Sequence, residues 1–481
     1  MVISIAGLLI CCALWVVARF SAEPLIVGLI SSLAFGSTAI VILPAVGGSS
    51  PIIYVAFLGL MLATVALRPN PIRDLGIVFI RQPVAWVVLF LLLYTVTGAM
   101  LLPRLFAGQT TVFVPLREEG RIGEVLLAPV TGNITQSIYF LLSGMTFYAL
   151  SILLLKPRAI VGIKQGFFLW AILHVGLGLM DLSGKLSGLG DVLAPIRTAA
   201  YSMLTEVDAV GFWRITGGYP EASTYGAMSA LLLAFTFTFW RRSRDTFTLV
   251  LWVALLILLI LSTSSTAYVA VGLLGLVLFV SITSSAIRNQ LQNQDLFLIA
   301  GVLVALLAAI GIVLYKQDAL DPLQRLFDTM VLNKASSLSA QERIHWNNLS
   351  LQSFFDTSGL GIGLGSSRTS SWIISVISQL GIVGLAMMVA LAIEIGRSGN
   401  PRLMTSLDAE TRITALSLRA AALTALATAT ISGAGADPGM VFFISLAVLT
   451  SLRATANRLA LESGAVGHDP WHPGIRPTFR S

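Results

Sequence analysis

The chain has 481 residues, of which 56% are apolar and only 11% are charged. Soluble domains contain roughly 45–50% apolar and about 25% charged residues, so this composition excludes an ordinary water-soluble protein. The formal net charge of +7 does not by itself indicate nucleic-acid binding, because in a membrane protein it reflects which loops carry Lys and Arg. The adjacent Cys11 and Cys12 lie in an apolar run, where we expect core residues rather than a disulfide framework or a metal site.

Apolar runs long enough to cross a hydrocarbon core, which takes about 20 residues per helix, recur along the chain. They lie at about 2–18, 24–46, 50–67, 83–103, 134–155, 160–180, 221–240, 246–263, 265–283, 296–315, 371–395, 413–432 and 438–455. The sequence therefore predicts an all-α, polytopic transmembrane bundle of about 12–13 spans. We expect a single membrane domain at 1–455 and a disordered tail at 456–481.

The distribution of basic residues predicts how the spans are oriented. Lys and Arg collect in short loops on the cytoplasmic side, and the clearest cluster is Arg241, Arg242 and Arg244. Alternation from this cluster places the N-terminus outside and the C-terminus in the cytoplasm. Three long loops then lie outside, at about 104–133, 181–220 and 316–370. Long loops in compact proteins are typically functional, so we expect the protein to act on the outer side.

One candidate site immediately precedes the predicted span at 221–240. Gly217 and Gly218 permit close backbone approach, and Pro220 suits the first turn of a helix. The outer end of this span is then a helix N-terminus, which binds anions when a guanidinium such as that of Arg214 lies nearby. The alternative is an interfacial arginine that reaches lipid headgroups.

The longest outer loop carries a second group of candidates. Asp321 begins a segment with the apolar spacing of an interfacial helix, and Ser339 and Glu342 form a capping-box pattern. Arg343 and His345 follow directly. Glu342 is therefore either a capping residue or a catalytic carboxylate, and His345 is either a surface residue or a proton-transfer group.

A glycine-rich segment precedes the predicted span at 371–395. Alternating glycines, including Gly363 and Gly365, allow backbone N–H groups to close on an oxyanion, and Arg368 follows them. A flexible connection without any ligand is the alternative. The segment Ser262–Thr266 adds a third polar helix start, with either a capping or a binding role. Together these features predict an outer cavity suited to a phosphate-bearing lipid.

In their order and spacing, the motifs between about 210 and 395 resemble those of the O-antigen ligase and polymerase superfamily of bacterial envelope glycosyltransferases. They are an Arg before Gly and Pro (Arg214 to Pro220), a Ser/Thr-rich span start (Leu261 to Ala267), the segment Arg343 to Trp346, the glycines from Gly361 to Gly365, and Gln379-Leu-Gly381-Ile-Val-Gly384 inside a span.

The resemblance implies a GT-C-like fold and an inverting, metal-independent glycosyltransferase without cofactors. It implies undecaprenyl-diphosphate-linked saccharides as substrates on the periplasmic side of a bacterial inner membrane, with Arg214 and Arg343 on the diphosphate. Ligase relatives carry a His where this chain has Ser370, and many relatives carry an Arg at the position of Ser265. These departures favour polymerisation into an O-antigen or exopolysaccharide over transfer to lipid A-core.

The residues expected to form the site fall into two groups. We assign catalysis to Arg214, Arg343, Glu221 and His345, and diphosphate binding to Arg214, Arg343, Arg368, Gly363 and Gly365. The general base is left open among Glu221, Asp208, Glu206 and His345. We expect membrane lipids and a chain-length regulator protein as further partners, no nucleic acid and no metal.

A transporter or flippase of lipid-linked sugars is the alternative from a different functional class. Transport requires charged or polar groups at mid-span and helices broken near the membrane centre. Most of the predicted spans lack such groups, apart from Lys164 and His174. The pattern therefore favours chemistry at the outer surface.

Overall fold

The computed structural model describes residues 2–44, 48–116, 121–201, 203–205, 208–209, 212–315, 328, 337–398 and 404–462. Within these ranges, eight helices are long and apolar enough to cross a bilayer, and a bent helix pair makes a possible ninth span. The protein is therefore an all-α, multi-pass membrane protein, as the composition predicts.

The helices in chain order are α1 (Ile5–Ala18), α2 (Pro24–Ser31), α3 (Tyr54–Ala66), α4 (Pro71–Arg81), α5 (Val84–Leu105), α6 (Thr131–Leu153), α7 (Arg158–Leu186), α8 (Ala222–Ser243), α9 (Thr246–Leu261), α10 (Ser265–Ile287), α11 (Asn293–Tyr315), α12 (Leu338–Asp356), α13 (Trp372–Ser398), α14 (Ala409–Ser432) and α15 (Met440–Glu462). Three short antiparallel strand pairs join β1 (Val2–Ile3) to β2 (Val41–Ile42), β3 (Thr111–Leu116) to β4 (Arg121–Leu126), and β5 (Asp208–Ala209) to β6 (Phe212–Trp213).

Every predicted apolar run contains a helix, but among the described residues only eight of these helices, or nine if the bent pair is one span, are long and apolar enough to cross a bilayer, against the 12–13 spans expected. The run at 24–46 differs most from its prediction. Helix α2 ends at Ser31, a 3-10 turn follows to Ala34, and Val41–Ile42 pair with the N-terminal strand β1. Apolarity alone does not distinguish a helix from a buried irregular segment, and the β-branched Val41 and Ile42 favour a strand.

The helices pack into one bundle in which distant parts of the chain are neighbours. α8 packs along α14 and α9, α7 along α2, and α6 against α5 and α15. Aromatic side chains pack between the helices: Phe140 of α6 meets Phe443 of α15 edge-on at 6.1 Å, and Phe167 of α7 stacks on Phe235 of α8 at 4.8 Å between ring centroids. This packing fixes the helix ends from which the long loops depart.

Helix α12 lies in the long loop before α13, but it begins differently from its prediction. The side chain of Ser337 caps the helix by accepting from the Ala340 N–H at 3.3 Å, so the predicted capping box of Ser339 and Glu342 is wrong. Glu342 is exposed. The interfacial helix predicted to begin at Asp321 lies outside the described residues.

Candidate functional site

A buried ion network at the end of α7 holds the backbone that carries Arg214. The Lys185 Nζ donates to the Asp181 carboxylate at 3.0 Å and to the carbonyl oxygen of Arg214 at 2.7 Å. Asp181 and Lys185 are four residues apart, so they share one face of the helix. The Arg214 main chain is therefore tied to α7 by a charged donor.

Arg197 completes this network from the loop that follows α7. Its guanidinium donates to Asp181 at 3.1 Å, to the Thr216 hydroxyl at 2.7 Å and to the Gly217 carbonyl at 2.7 Å, and it also pairs with Asp191. Asp181 in turn accepts from the N–H groups of Thr216 at 2.7 Å and Gly217 at 3.1 Å. Opposite charges and main-chain donors satisfy one another, as a buried ionic group requires.

Glu221 lies at the N-cap of α8, seven residues after Arg214. Its carboxylate accepts from the Ser223 hydroxyl at 2.5 Å and from the Thr224 hydroxyl at 3.3 Å. The preceding Pro220 carbonyl accepts from the Leu204 N–H at 2.8 Å, which holds the entry to the helix. A carboxylate is thereby held at the positive end of a 22-residue helix.

The glycine-rich segment has a different role from the one predicted. The N–H of Gly361 donates to the Thr357 hydroxyl at 3.1 Å, that of Gly363 to the Gln379 carbonyl at 3.0 Å, and that of Gly365 to the Gln379 Oε1 at 2.8 Å. Because these donors are already paired within the protein, the prediction that Gly363 and Gly365 bind a diphosphate through their N–H groups is wrong for this conformation.

A break in α13 accommodates the glycine-rich segment. Gly381 has a φ of +64°, and a Cβ there would overlap the carbonyl oxygen of Leu360. The Leu380 carbonyl that the break frees accepts from the Tyr94 hydroxyl at 2.9 Å. Gln379 also donates through Nε2 to the Ser367 carbonyl at 2.8 Å. The segment is thus a packed insertion beside a broken helix, and it positions Arg368.

Arg368 lies between the β3–β4 hairpin and α12. Its N–H donates to the Phe113 carbonyl at 2.8 Å, and its guanidinium lies 5.6 Å from the centroid of the Trp346 ring. Two residues later, the N–H of Ser370 donates to the Asn347 Oδ1 at 3.0 Å. The end of the glycine-rich segment therefore lies against the helix that carries Arg343.

Electrostatic interactions connect these separate segments into one site. Burial lowers the pKa of the Arg214 guanidinium, the Glu221 carboxylate raises it, and the positive charge of Arg343 lowers it. The pKa of Arg368 responds in the same way to burial, to Glu221 and to Arg343. Arginine remains protonated at neutral pH despite such shifts. The three guanidinium groups and Glu221 are therefore close enough for their charges to interact.

Within the described ranges, none of these three guanidinium groups forms a salt bridge. Three positive charges therefore face one carboxylate in a partly desolvated site, where Coulombic repulsion is stronger than in water. The Nε of Arg214 is buried without a hydrogen-bond partner. Such a site is complementary to a ligand with two or more negative charges.

The start of α10 carries two buried hydroxyl groups. Thr263 and Ser264 are 4% and 1% exposed, and neither side-chain oxygen has a hydrogen-bond partner among the described residues. Thr263 also has a φ of +46°, which is strained for a β-branched residue. Tyr268, one turn into α10, lies within electrostatic range of Arg214. The predicted Ser/Thr-rich helix start therefore borders the arginine site.

His345 does not join this group. It is 60% exposed, with its Nε2 3.5 Å from Glu124 Oε2 and its ring 5.3 Å from that of Phe113. His345 therefore contacts the β3–β4 hairpin, although it is only two residues from Arg343. Of the other base candidates, Asp208 lies in strand β5 and Glu206 lies outside the described residues.

Reasoning from the sequence missed the residues that position the site. Asp181 and Lys185, at the end of an apolar run and four residues apart, are a local signal for a buried ion pair. No short-range sequence pattern indicates that Arg197 joins Asp181 and Lys185, or that Gln379 binds the glycine-rich segment. Across the described ranges, no group of three His, Cys, Asp or Glu side chains is arranged to hold a metal ion.

No protein-family model and no curated protein matches the chain. The resemblance to the O-antigen ligase and polymerase superfamily therefore rests on the motifs and their order. In the structure, the segments that carry these motifs contain the arginines whose charges interact.

Proposed function

We propose that the protein is a glycosyltransferase that polymerises undecaprenyl-diphosphate-linked oligosaccharide units into an O-antigen or exopolysaccharide. In this proposal it lies in a bacterial inner membrane, with its N-terminus and its site on the periplasmic side and its C-terminus in the cytoplasm. The observation that carries the proposal is the group of Arg214, Arg343 and Arg368: none is in a salt bridge within the described residues, and the charges of Arg343 and Glu221 act on both Arg214 and Arg368. A diphosphate matches this arrangement in charge.

The proposed reaction transfers a glycan chain between two lipid-linked substrates. A sugar hydroxyl of one substrate attacks the anomeric carbon of the other, and the bond from that carbon to the diphosphate oxygen breaks with inversion. Undecaprenyl diphosphate leaves with the bonding electron pair, and the attacking hydroxyl loses its proton to a base. The arginines stabilise the charge that develops on the leaving diphosphate, because guanidinium groups stay charged and bind phosphate oxygens bidentately.

Glu221 is the base that we favour. It interacts electrostatically with Arg214 and Arg368, and hydroxyl donors from Ser223 and Thr224 orient its carboxylate. His345 is less suited because it is exposed and contacts the outer hairpin. At the position of the ligase histidine, Ser370 lies near the backbone of Arg343, with 3.5 Å between its hydroxyl and that carbonyl oxygen. Serine is not a general base at neutral pH, so polymerisation remains favoured over ligation to lipid A-core.

Transport of lipid-linked sugars is the alternative function. The observation in its favour is His174, which is buried within α7, stacks on Tyr225 at 4.3 Å and contacts the Ser229 hydroxyl at 2.7 Å. Intramembrane ionisable residues frequently mark transport pathways. Against transport, Asp181 and Lys185, the two α7 residues of the ion network, lie in the last two turns of the helix rather than at mid-span.

The deciding experiment is reconstitution of the purified protein with a defined undecaprenyl-diphosphate-linked repeat unit, without ATP or added metal. We expect a ladder of polymer and release of undecaprenyl diphosphate. Arg214→Ala or Arg343→Ala should lower turnover by about 10²–10³-fold, the usual cost of removing one group that stabilises transition-state charge. Arg104→Ala is the matched control, because this exposed arginine ends α5 and donates to the Met100 carbonyl.

Each alternative gives a different result in this assay. A ligase would release the carrier only when lipid A-core is supplied, and a transporter would release none. Normal chain lengths and turnover in both arginine variants would refute the assignment of the site, even if polymerisation itself were observed.

A further inference from the structure

A cavity of about 770 Å³ lies at the end of the bundle opposite the arginine site. Helix α6 locates the cavity relative to the arginine site, because its two ends lie at the two regions. This helix begins where Gly132 packs closely against the Gly365 carbonyl, and its other end, near Ser151 and Leu154, lines the cavity. At 1.5 Å per residue, the 23 residues of α6 separate the two regions by roughly 34 Å. The cavity is therefore distinct from the proposed active site.

Several basic residues line the cavity. Arg81 and Lys156 form no salt bridge in the described part of the chain. By contrast, Lys164 forms a salt bridge with Glu410. The Asp408 carboxylate caps α14 by accepting a hydrogen bond from the Thr411 N–H at 2.9 Å. The lining thus presents two positive charges that no salt bridge of the described chain neutralises.

The rest of the lining is suited to a hydrocarbon chain. Leu154, Ile160 and Leu452 contribute apolar surface. The buried Gln82 gives no free polar group, because it donates to the Ser451 hydroxyl at 2.9 Å and accepts from the Thr450 hydroxyl at 2.8 Å. Charge beside apolar walls favours an amphiphile over a small soluble anion.

Helix α4 indicates that the cavity opens where lipid headgroups lie. It bends by 102° from α3, so the two cannot both run along the membrane normal. Its apolar Ile72 and Ile80 are 85% and 83% exposed, and it ends at Arg81. An amphipathic helix with this exposure lies in the membrane interface with its apolar side in the acyl region. Arg81 is then at headgroup level.

We propose that this cavity binds an anionic phospholipid, with the lipid phosphate at Arg81 and Lys156 and an acyl chain along the apolar wall. Basic pockets between membrane helices recognise anionic headgroups in this way. The proposal does not depend on the proposed glycosyltransferase function. Inorganic phosphate has the same anionic oxygens, so the test must separate a lipid from a free ion.

The test is native mass spectrometry of the purified full-length protein in detergent, titrated with phosphatidylglycerol or phosphatidylcholine. We expect a tight complex with phosphatidylglycerol only. The double variant Arg81→Gln/Lys156→Gln should weaken this complex by about 30-fold, from the usual contribution of two basic residues near a lipid surface. The control Arg73→Gln/Arg158→Gln removes two exposed charges from the same segments, outside the cavity lining, and should retain affinity within about twofold.

Three outcomes would overturn the proposal. Equal binding of phosphatidylcholine would show that the charges do not select the lipid, and equal loss in both double variants would indicate general surface attraction. Displacement of the lipid by inorganic phosphate alone would show a phosphate-ion site instead. All four substituted side chains are exposed, so we expect folded protein in both variants, verified by size-exclusion profiles.

Discussion

Two charged groups lie close together at one end of the bundle, and they differ in how their charges are satisfied. In the ion network of α7, Lys185 and Arg197 are matched by Asp181 and Asp191, through direct salt bridges. In the arginine site, three guanidinium groups face the single carboxylate of Glu221, and none is in a salt bridge within the described residues.

From this difference we infer a structural role for the balanced ion network and a binding role for the unbalanced arginine site. A buried network in which every charge has a partner stabilises one backbone arrangement, and removal of one partner leaves an uncompensated buried charge. A cluster of like charges destabilises the fold by repulsion and is relieved when an anion binds. Since Lys185 donates to the Arg214 carbonyl, the balanced group holds the unbalanced one in position.

The largest expected effect on stability comes from breaking the balanced network. Asp181→Asn should lower the free energy of unfolding by about 3–5 kcal/mol, because Lys185 and Arg197 lose a buried counter-charge. Arg214→Ala, which also removes one charge, should leave stability unchanged or raise it slightly, because burial and the repulsion from Arg343 both disfavour the charged guanidinium and together oppose its attraction to Glu221. Thermal unfolding of both variants in the same detergent measures the contrast.

The contrast also predicts how activity is lost. Asp181→Asn should reduce polymerisation in parallel with the folded fraction, whereas Arg214→Ala should lower it by about 10²–10³-fold in fully folded protein. If the two variants unfold at the same temperature, the distinction between a balanced structural group and an unbalanced binding group is wrong.

The pH dependence of stability at Asp437 tests the same contrast between balanced and unbalanced charges, with a smaller expected effect. This carboxyl in the α14–α15 loop receives hydrogen bonds from the Gly439 N–H at 2.8 Å and the Ser143 hydroxyl at 3.0 Å, but no cation pairs with it in the described chain. Burial raises its pKa from 3.8 to about 6. The folded protein then binds this proton more tightly than the unfolded chain, so its contribution to stability is present below pH 3.8 and is lost as the pH rises through about 6.

Unfolding of wild type and Asp437→Asn should be compared across this pH window. We expect wild type to lose stability relative to the variant between pH 3.8 and about 6, by no more than about 1.4 kcal/mol per pH unit. Above that window the difference should be constant. A difference that does not change with pH would show that the Asp437 carboxyl has the same pKa in the folded and the unfolded protein.

The fold was largely predictable because apolarity and length are local properties. All 13 apolar runs contain a helix, since a segment in lipid must satisfy its backbone hydrogen bonds internally. The failure at 24–46 has a tertiary cause: Ser37 donates to the Gly218 carbonyl at 2.8 Å, and Val41–Ile42 pair with Val2–Ile3. A contact that spans 181 residues leaves no local pattern to detect.

The site was predictable only in part, for a related reason. Arg214, Arg343 and Arg368 stand out in the sequence because the predicted orientation places them in outer loops, where arginine beside a helix start is unusual. The glycine-rich segment was misinterpreted because its sequence shows available N–H donors but not their acceptor, Gln379. Similarly, the backbone donors to Asp181 come from residues 35 and 36 positions away, at Thr216 and Gly217.

The smallest expected effect comes from His345, at the exposed edge of the site. Its contact with Glu124 is solvent-accessible on both sides, and exposed pairs of this kind contribute about 0–1 kcal/mol. His345→Ala should therefore change the unfolding temperature little and polymerisation by less than about threefold, whereas Glu221→Gln should abolish the reaction if Glu221 is the base. Steady-state rates of the two variants across neutral pH measure this contrast. A large loss of kcat in His345→Ala, with Glu221→Gln active, would reverse the assignment and place the proton acceptor on the hairpin side of α12.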